Sequence, residues 1–188
     1  MADAPLCLGT PRLRLRPVEA SDADAIGAIA SRREVADTMA TLPHPYPPGE
    51  AARWIAERRA ARDRGLAASF VAELRDAGAS CGVAEIHSIE PEHRQAELSF
   101  WLAPDAWGRG YMSEIVPALV AHAFGALGLN RLYAHHMLRN PASGRVLEKA
   151  GFRREGVLRQ RVRKWGRYED VALCALLADD WRAGATDA

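Results

Sequence analysis

Hydrophobic and polar positions alternate along several segments of this chain, and this alternation predicts strands. Residues 12–16 read Arg-Leu-Arg-Leu-Arg, the pattern of a strand with leucines inward and arginines outward. Strand-like runs at 68–74, 82–89 and 96–102 follow one another through short turns, which favours antiparallel pairing. Three more strands are predicted in the second half of the chain, at 131–138, 152–158 and 168–177.

Apolar residues three or four positions apart predict two helices between the first and second strands. The first helix begins at Ser21 and Asp22, which are typical N-cap residues, and ends before the loop 42–49. Four prolines in that loop exclude a regular helix or a central strand. The second helix covers residues 49–64 and carries an apolar stripe on one face.

Two more helices are predicted after the third of these closely spaced strands. One runs to about Leu127 and contains Pro117, which predicts a kink or a late start. The other begins at Asn140 and ends at Gly151.

The predicted order of elements is β-α-α-β-β-β-α-β-α-β-β. An antiparallel set followed by one β-α-β crossover predicts an α/β (α+β) fold with a mixed, mostly antiparallel central sheet flanked by helices. With 188 residues, the chain is expected to form one domain, 1–188, with a core from about residue 12 to residue 181.

A glycine-rich turn leads into the third predicted helix. Gly108 and Gly110 would let the backbone approach a ligand closely, at the positive end of that helix, and such a turn binds phosphate. The spacing is not the nucleotide P-loop, because no Gly-Lys-Ser/Thr follows, and it lacks the third glycine of the dinucleotide fingerprint. The turn therefore predicts a phosphate-bearing ligand of another kind.

Composition and charge narrow the class of protein. The 25 basic and 24 acidic side chains leave a net charge of +1, which argues against direct nucleic-acid binding. Cys7, Cys81 and Cys174 form no CxxC pair and suit a reduced, cytoplasmic protein. No signal peptide is apparent, and no apolar run approaches the roughly 18 residues of a membrane span, so no membrane partner is expected.

A second motif, Asn140-Pro141-Ala142-Ser143, opens the helix that closes with Lys149-Ala150-Gly151-Phe152. Together with the strand and glycine turn before it, this motif resembles the GNAT superfamily of acyl-CoA-dependent N-acetyltransferases. The Trp-Gly-Arg-Gly turn, the run Phe152-Arg153-Arg154-Glu155-Gly156 and Tyr168-x-Asp170 are similar to the branch that contains the ribosomal-protein alanine N-acetyltransferases. The resemblance extends from about residue 12 to residue 181.

The resemblance implies acetyl-CoA as the cosubstrate. In such proteins the strand before the turn and the strand 131–138 splay apart, and the pantetheine arm lies between them. The pyrophosphate would rest on backbone N–H groups of residues 107 to 113, and Arg109 would add a charge-assisted contact. The cofactor-binding residues implied in this way are Trp101, Leu102, Trp107, Gly108, Arg109, Gly110, Tyr111, Met112, Ser113, Asn140 and Ser143.

Three positions depart from the superfamily pattern. Trp107 stands where the turn usually begins with glutamine or arginine, although tryptophan is familiar in the branch named above. Met112 stands where the turn usually carries glycine or alanine. Leu147 stands where many relatives carry a tyrosine acid, seven residues after the asparagine. Ser143 is the remaining local hydroxyl, so it is the predicted catalytic donor to the departing sulfur.

The acceptor amine is protonated at neutral pH, so a group must remove a proton before the amine attacks the thioester. Glu97 and Glu85 lie on adjacent predicted strands near the expected acceptor groove, and both are candidates for this catalytic base, Glu97 first. A strand N–H near Trp101 or Leu102 would bind the oxyanion. Tyr46 and Glu97 are the predicted substrate-binding residues.

Several of these residues also have a structural explanation. Asn140 is a good N-cap in any helix, and Glu97 would also be explained by an ion pair with Arg94 or with a neighbouring strand. His135 and His136 are adjacent on a strand and point to opposite faces, so no metal site is expected. The basic stretch 159–167 is typical of a solvated hairpin.

The predicted function is transfer of an acetyl group from acetyl-CoA to a primary amine, directly and in a ternary complex. The acceptor is left open between a protein N-terminus and a small amine, and a homodimer is one option for the assembly. The alternative is a non-catalytic CoA-binding module, which the missing tyrosine favours and which the intact glycine turn and Ser143 disfavour. A dinucleotide-binding oxidoreductase is excluded by the strand order and by the absent acidic ribose ligand.

Overall fold

A single mixed sheet forms the centre of the molecule. The computed structural model describes residues 6–186, with side chains to residue 184. Within them the strands are β1 Leu8–Gly9, β2 Leu13–Pro17, β3 Ala68–Leu74, β4 Ser80–Glu90, β5 Gln95–Leu102, β6 Arg131–Met137, β7 Arg153–Lys164 and β8 Arg167–Leu177. Their order across the sheet is β1-β2-β3-β4-β5-β6-β8-β7, and β5 and β6 form the parallel pair.

Helices cover both faces of the sheet. They are α1 Ala23–Ala30, α2 Arg33–Thr38, α3 Glu50–Asp63, α4 Met112–Gly125, α5 Pro141–Lys149 and α6 Ala178–Thr186. Phe70 and Ala72 on β3 belong to the larger apolar cluster, to which α4 and α5 also contribute. Val71, between them, faces the smaller cluster formed with α1 and α3. The alternation of side chains along the strand therefore separates two cores.

The structure confirms the predicted strands and extends some of them. Leu13 and Leu15 are fully buried, as the alternation in β2 predicts. β7 continues to Lys164, six residues beyond the predicted end at 158, because it pairs with β8 through two register shifts. The predicted basic hairpin at 159–167 is the tip of this pair, where charged side chains suit an edge strand. The short β1 and the C-terminal α6 were not predicted.

Three predictions about helix ends are corrected. The first predicted helix is two helices, because the chain turns at Ser31 and Arg32 between α1 and α2. Asp22 does not cap α1, because its carboxylate accepts from the Glu19 N–H and from the Arg16 guanidinium instead. Pro117 lies inside α4, which begins at Met112, so the late start is wrong.

The sheet opens between β5 and β6. These strands pair only at Gln95↔Arg131, Ala96↔Leu132 and Glu97↔Tyr133. After Glu97 they separate, and the predicted splay is confirmed. The opening exposes backbone groups of β5 beside α5.

Candidate active site

Two cavities meet at the opening between β5 and β6. We call the first the turn cavity, of about 500 Å³, which lies between the glycine turn and α5. We call the second the central cavity, of about 760 Å³, which lies on the side of α1 and α3. The two cavities share four lining residues, Thr38, Phe100, Trp101 and Ser143. Two substrates that enter from separate sides would meet at these residues.

The glycine turn presents a row of unused backbone donors. Gly108 and Gly110 have φ values of 71° and 78°, a region that favours glycine. The N–H groups of Trp107 and Ser113 donate to the carbonyls of Pro104 and Gly110, at 3.0 and 3.1 Å. The N–H groups of residues 108–112 donate to no other group in the described part of the chain. Of the N–H groups of residues 107–113 that were expected to bind pyrophosphate, those of residues 108–112 are therefore free to do so.

Arg12, immediately before β2, fixes the turn from outside. Its guanidinium donates to the Arg109 carbonyl at 2.9 Å and to the Glu114 carboxylate, and it lies 4.6 Å from the centre of the Tyr111 ring. Thr10 donates to the other Glu114 oxygen at 2.8 Å. Burial raises the pKa of Glu114, but the bonds from Arg12 and Thr10 outweigh it and lower that pKa overall. The sequence alone predicts only that Arg12 is an outward-facing strand residue.

The backbone of β5 offers hydrogen-bonding groups to the opening at alternate positions. Ala103 donates its N–H to the Cys81 carbonyl at 2.8 Å. Because hydrogen-bonded positions alternate in an antiparallel pair, the backbone groups of Trp101 face β4, and those of Phe100 and Leu102 face the opening. The Leu102 carbonyl accepts from Trp107 Nε1 at 2.9 Å, which leaves the Phe100 and Leu102 N–H groups for a ligand.

Ser143 lies where the two cavities join, and Asn140 holds it there. Asn140 is the N-cap of α5, as predicted: its Oδ1 accepts the Ser143 N–H at 3.4 Å. Asn140 Nδ2 also donates to Ser143 Oγ at 3.0 Å. The Ser143 hydroxyl therefore accepts one bond from Asn140 and keeps its own proton for another partner.

A carboxylate and an imidazole form a pair at the apex of the opening. His135 Nδ1 lies 3.0 Å from Glu97 Oε1, and both side chains line the central cavity. Burial raises the pKa of Glu97, but the hydrogen bond from His135 and the nearby charges of His87 and Arg161 together outweigh burial. The pKa of Glu97 therefore lies below its usual value. An ionised Glu97 accepts the Nδ1 proton, which leaves the lone pair of Nε2 free to take a proton.

Of the two structural partners predicted for Glu97, Arg94 is excluded and the neighbouring strand is confirmed. Arg94 does not contact Glu97, because its guanidinium donates to the Gly128 carbonyl at 2.8 Å. The neighbouring strand does supply the partner, in His135. His135 could not be assigned this place from the sequence, because the contact depends on the register across a crossover.

Glu85 lies in the same cavity with a different partner. It is buried, with 7% of its surface exposed, and its Oε1 accepts from Ser69 Oγ at 2.6 Å. On the other side it pairs in register with Ser99. The structure therefore brings both predicted carboxylates into one cavity and gives a histidine partner to Glu97.

The proline loop and the β7–β8 hairpin form another wall of the central cavity. Tyr46 is half-buried against the smaller apolar cluster, and burial raises its pKa. Lys164, at the hairpin, is buried and donates to the Leu42 carbonyl at 2.6 Å. Burial lowers the pKa of Lys164. Trp165 contacts the His44 ring edge-on, with centroids 6.4 Å apart, so two contacts hold the loop to the hairpin.

His135 and His136 face opposite sides of the sheet, as predicted. His136 contacts α5, where a Cβ on Gly144 would lie 2.9 Å from its ring. Within residues 6–186 no three His, Cys, Asp or Glu side chains are grouped to hold a metal ion. The same part of the chain has no helix long and apolar enough to cross a membrane.

Comparison with known proteins identifies the class and then the family. The fold matches that of RimL, a ribosomal L7/L12 alpha-N-protein acetyltransferase solved with coenzyme A, at a TM-score of 0.86 and 22% identity over 93% of this chain and 99% of that chain. The fold is thus that of an acetyltransferase. Residues 12–153 match the family model described as an acetyltransferase (GNAT) domain. The chain belongs to the GNAT acetyltransferase family, which confirms the predicted family, fold and enzyme class.

Two curated relatives are similar to the chain over different lengths. The uncharacterized N-acetyltransferase YoaA of Bacillus subtilis (strain 168) is 33% identical over 175 residues, covering 90% of this chain and 96% of the relative. The spermidine N(1)-acetyltransferase of Vibrio cholerae is 32% identical over 90 residues, covering 48% of this chain and 52% of the relative.

Proposed function

We propose that this protein transfers the acetyl group of acetyl-CoA directly to a primary amine, with CoA in the turn cavity and the amine in the central cavity. The observation that carries this proposal is the junction of the two cavities, with Ser143 at the junction and the Glu97–His135 pair in the central cavity. The thioester and the amine would meet there, so no enzyme group needs to carry the acetyl group.

The turn cavity suits the phosphate and pantetheine parts of CoA. Free N–H groups of residues 108–112 at the start of α4 would bind the pyrophosphate, and the exposed Arg109 would add charge. The N–H groups of Phe100 and Leu102 face the opening in which the pantetheine would lie.

The central cavity supplies the proton chemistry. His135 Nε2 takes a proton from the ammonium form of the acceptor, and Glu97 stabilises the imidazolium through Nδ1. The amine then attacks the thioester carbonyl, and a free strand N–H, of Phe100 or Leu102, binds the oxyanion. The C–S bond breaks as the Ser143 hydroxyl donates its proton to the departing thiolate. The proton that the new amide nitrogen loses returns to the Ser143 oxygen, and the imidazolium of His135 releases its proton to solvent.

The acceptor is a primary amine. By their names, the relatives include an enzyme for spermidine and a structural neighbour for a ribosomal protein. The cytoplasm is the proposed location, in keeping with three free cysteines, Cys7, Cys81 and Cys174.

Free thiol measured with acetyl-CoA and a panel of amines tests the proposal. We expect thiol release that depends on both the amine and acetyl-CoA. The alternative, a non-catalytic CoA-binding module, takes support from Leu147, which is buried in the core at the position of the usual tyrosine acid. CoA binding without thiol release for any amine would favour that module.

A further inference from the structure

The arginines of α3 differ in their partners. Three of the four contact carboxylates within 4 Å, in the pairs Arg53–Glu50, Arg53–Glu57, Arg59–Glu19 and Arg62–Glu19. Arg58 has no hydrogen bond or ion pair with any described residue. The Nε of Arg58 is moreover a buried donor, and buried donors in folded proteins usually have an acceptor, so its position needs a reason.

Arg58 faces the central cavity. It follows Ala51 and Ile55 at helical spacing, and both of these are buried against the smaller apolar cluster. Its side chain lines the cavity, and its Nε is buried without an acceptor. A buried donor of this kind is satisfied when a ligand supplies the acceptor.

A second unpaired guanidinium enters the same cavity from β7. Arg161 lines the central cavity and has no hydrogen bond or ion pair within residues 6–186. Its charge helps to lower the pKa of Glu97, so it lies near the Glu97–His135 pair. Two guanidinium groups without a hydrogen bond or ion pair among the described residues therefore line the cavity that contains the Glu97–His135 pair.

We propose that the central cavity recognises a primary amine that carries a carboxylate close to its amino group, and that Arg58 and Arg161 bind this carboxylate. The inference rests on the proposed function and names the class of acceptor. Guanidinium groups bind carboxylates through paired, charge-assisted hydrogen bonds. A polyamine would instead place further cations beside two unpaired guanidinium groups, which selects against it.

The test compares acceptors that differ only in the carboxylate. Alanine is measured against alaninamide, a peptide beginning Asp-Ala against one beginning Asn-Ala, and spermidine is included. We expect the carboxylate member of at least one pair to have a kcat/KM higher by about tenfold or more. The pair with the larger ratio shows whether a free amino acid or an acidic peptide N-terminus is the source. Equal values in both pairs, or a preference for spermidine, would overturn the inference.

Substitutions of Arg58 and of its neighbour Arg59 test whether Arg58 causes the preference for carboxylate-bearing acceptors. Arg58→Met is expected to reduce the ratio of kcat/KM between the carboxylate acceptor and its amide partner to about one, and to leave CoA affinity unchanged. Arg58→Lys is expected to restore part of that ratio. The matched control is Arg59→Met, because Arg59 pairs with Glu19 and does not line the cavity. Equal ratios in Arg58→Met and Arg59→Met would remove Arg58 from the site.

Calorimetry on the CoA-loaded protein separates this inference from the proposed function. If amides and spermidine are acetylated as well as the acids, the transfer function stands and the inference falls. A second outcome is that no amine releases thiol, but alanine or the Asp-Ala peptide binds more tightly than its amide partner and Arg58→Met removes that difference. In this case the inference stands and the transfer function falls. If no carboxylate is bound in preference to its partner, the inference falls.

Discussion

At the scale of single residues, the chemistry depends on contacts between distant parts of the chain. Ser143 and Glu97 can be chosen as candidate catalytic residues from the sequence alone, because of their side-chain chemistry and their positions in the predicted elements. His135 is separated from Glu97 by the turn and α4, and its contact depends on the register Glu97↔Tyr133 at the parallel pair. A local pattern contains no information on that register, so the role of His135 could not be predicted.

Removing either member of the Glu97–His135 pair should disable proton removal. We expect Glu97→Gln and His135→Gln each to lower kcat/KM by about 10²–10⁴-fold, since general base catalysis contributes that much. The double variant should be no slower than the worse single variant, because the two groups act as a unit. Thiol release under conditions that saturate acetyl-CoA measures the effect.

His87 provides the control for this experiment. It stands opposite Glu97 on β4, yet its Nδ1 contacts Ser88 Oγ at 3.1 Å rather than the carboxylate. His87→Gln should therefore cost much less than His135→Gln. Similar losses in the two variants, or losses that add in the double variant, would contradict the assignment of the pair.

Ser143→Ala should lower turnover more than it lowers CoA affinity. The hydroxyl proton is free for the departing thiolate, and that contact strengthens only as the C–S bond breaks. We expect kcat to fall by about 10-fold or more, and the CoA dissociation constant from calorimetry to change much less. An equal loss in both would reduce Ser143 to a role in binding or capping.

At the scale of elements, the sequence predicted the order of strand, glycine turn and helix best. These elements follow one another directly, so a local pattern contains most of the candidate site. The clamp of Thr10 and Arg12 on Glu114 could not be predicted, because it joins residues about a hundred positions apart. The extension of β7 was missed for a similar reason, since a strand rich in arginine is stabilised by its partner β8 and not by burial.

Gly110→Glu should abolish CoA binding. The backbone at this position has φ +78°, which disfavours a side chain, and the new carboxylate would oppose the pyrophosphate. Gly78→Glu is the matched control, because Gly78 also has a positive φ, +63°, and open space around it, but lies in the turn between β3 and β4. Calorimetry with CoA should show no binding for the first variant and ordinary binding for the second. Unchanged affinity in Gly110→Glu would refute the phosphate assignment.

At the scale of the whole molecule, a network of ion pairs joins β2 to the rest of the fold. Arg16 contacts Asp22 and Glu73, both at 2.6 Å, and links β2 to the start of α1 and to β3. Burial raises the pKa of Asp22 and of Glu73, but hydrogen bonds from the arginines outweigh it and lower both pKa values. Groups whose pKa is lowered on folding stabilise the protein above their unfolded-state pKa values.

The free energy of unfolding should therefore fall as the pH drops below about 4.5, the ordinary pKa of a glutamate, because Glu73 and Asp22 then take up protons more readily in the unfolded chain. Arg16→Met should lower that free energy by about 3 kcal/mol at pH 7, because the largely buried Asp22 loses its guanidinium partner and Glu73 keeps only Arg14. Urea unfolding at pH 7 and at pH 4 measures both effects, and the variant should depend less on pH between these values.

Arg32→Met is the control for this measurement. Arg32 and Glu34 form an ion pair in which both side chains are about half exposed, so its loss should cost less than about 1 kcal/mol. A loss as large as that of Arg16→Met, or a wild-type stability that does not change between pH 7 and pH 4, would contradict the role of the network.

The opening between β5 and β6 also bears on how long the protein survives in a cell. Only three paired positions join the two halves of the sheet there, so few backbone hydrogen bonds cross this seam. A cosubstrate bound in the seam, as proposed above, would stabilise the folded chain by mass action, by about 2.7 kcal/mol when its concentration is about 100 times the dissociation constant. When acetyl-CoA is scarce, more chains would stand empty and open to proteases. The amount of enzyme would then follow the nutritional state of the cell without any dedicated regulator.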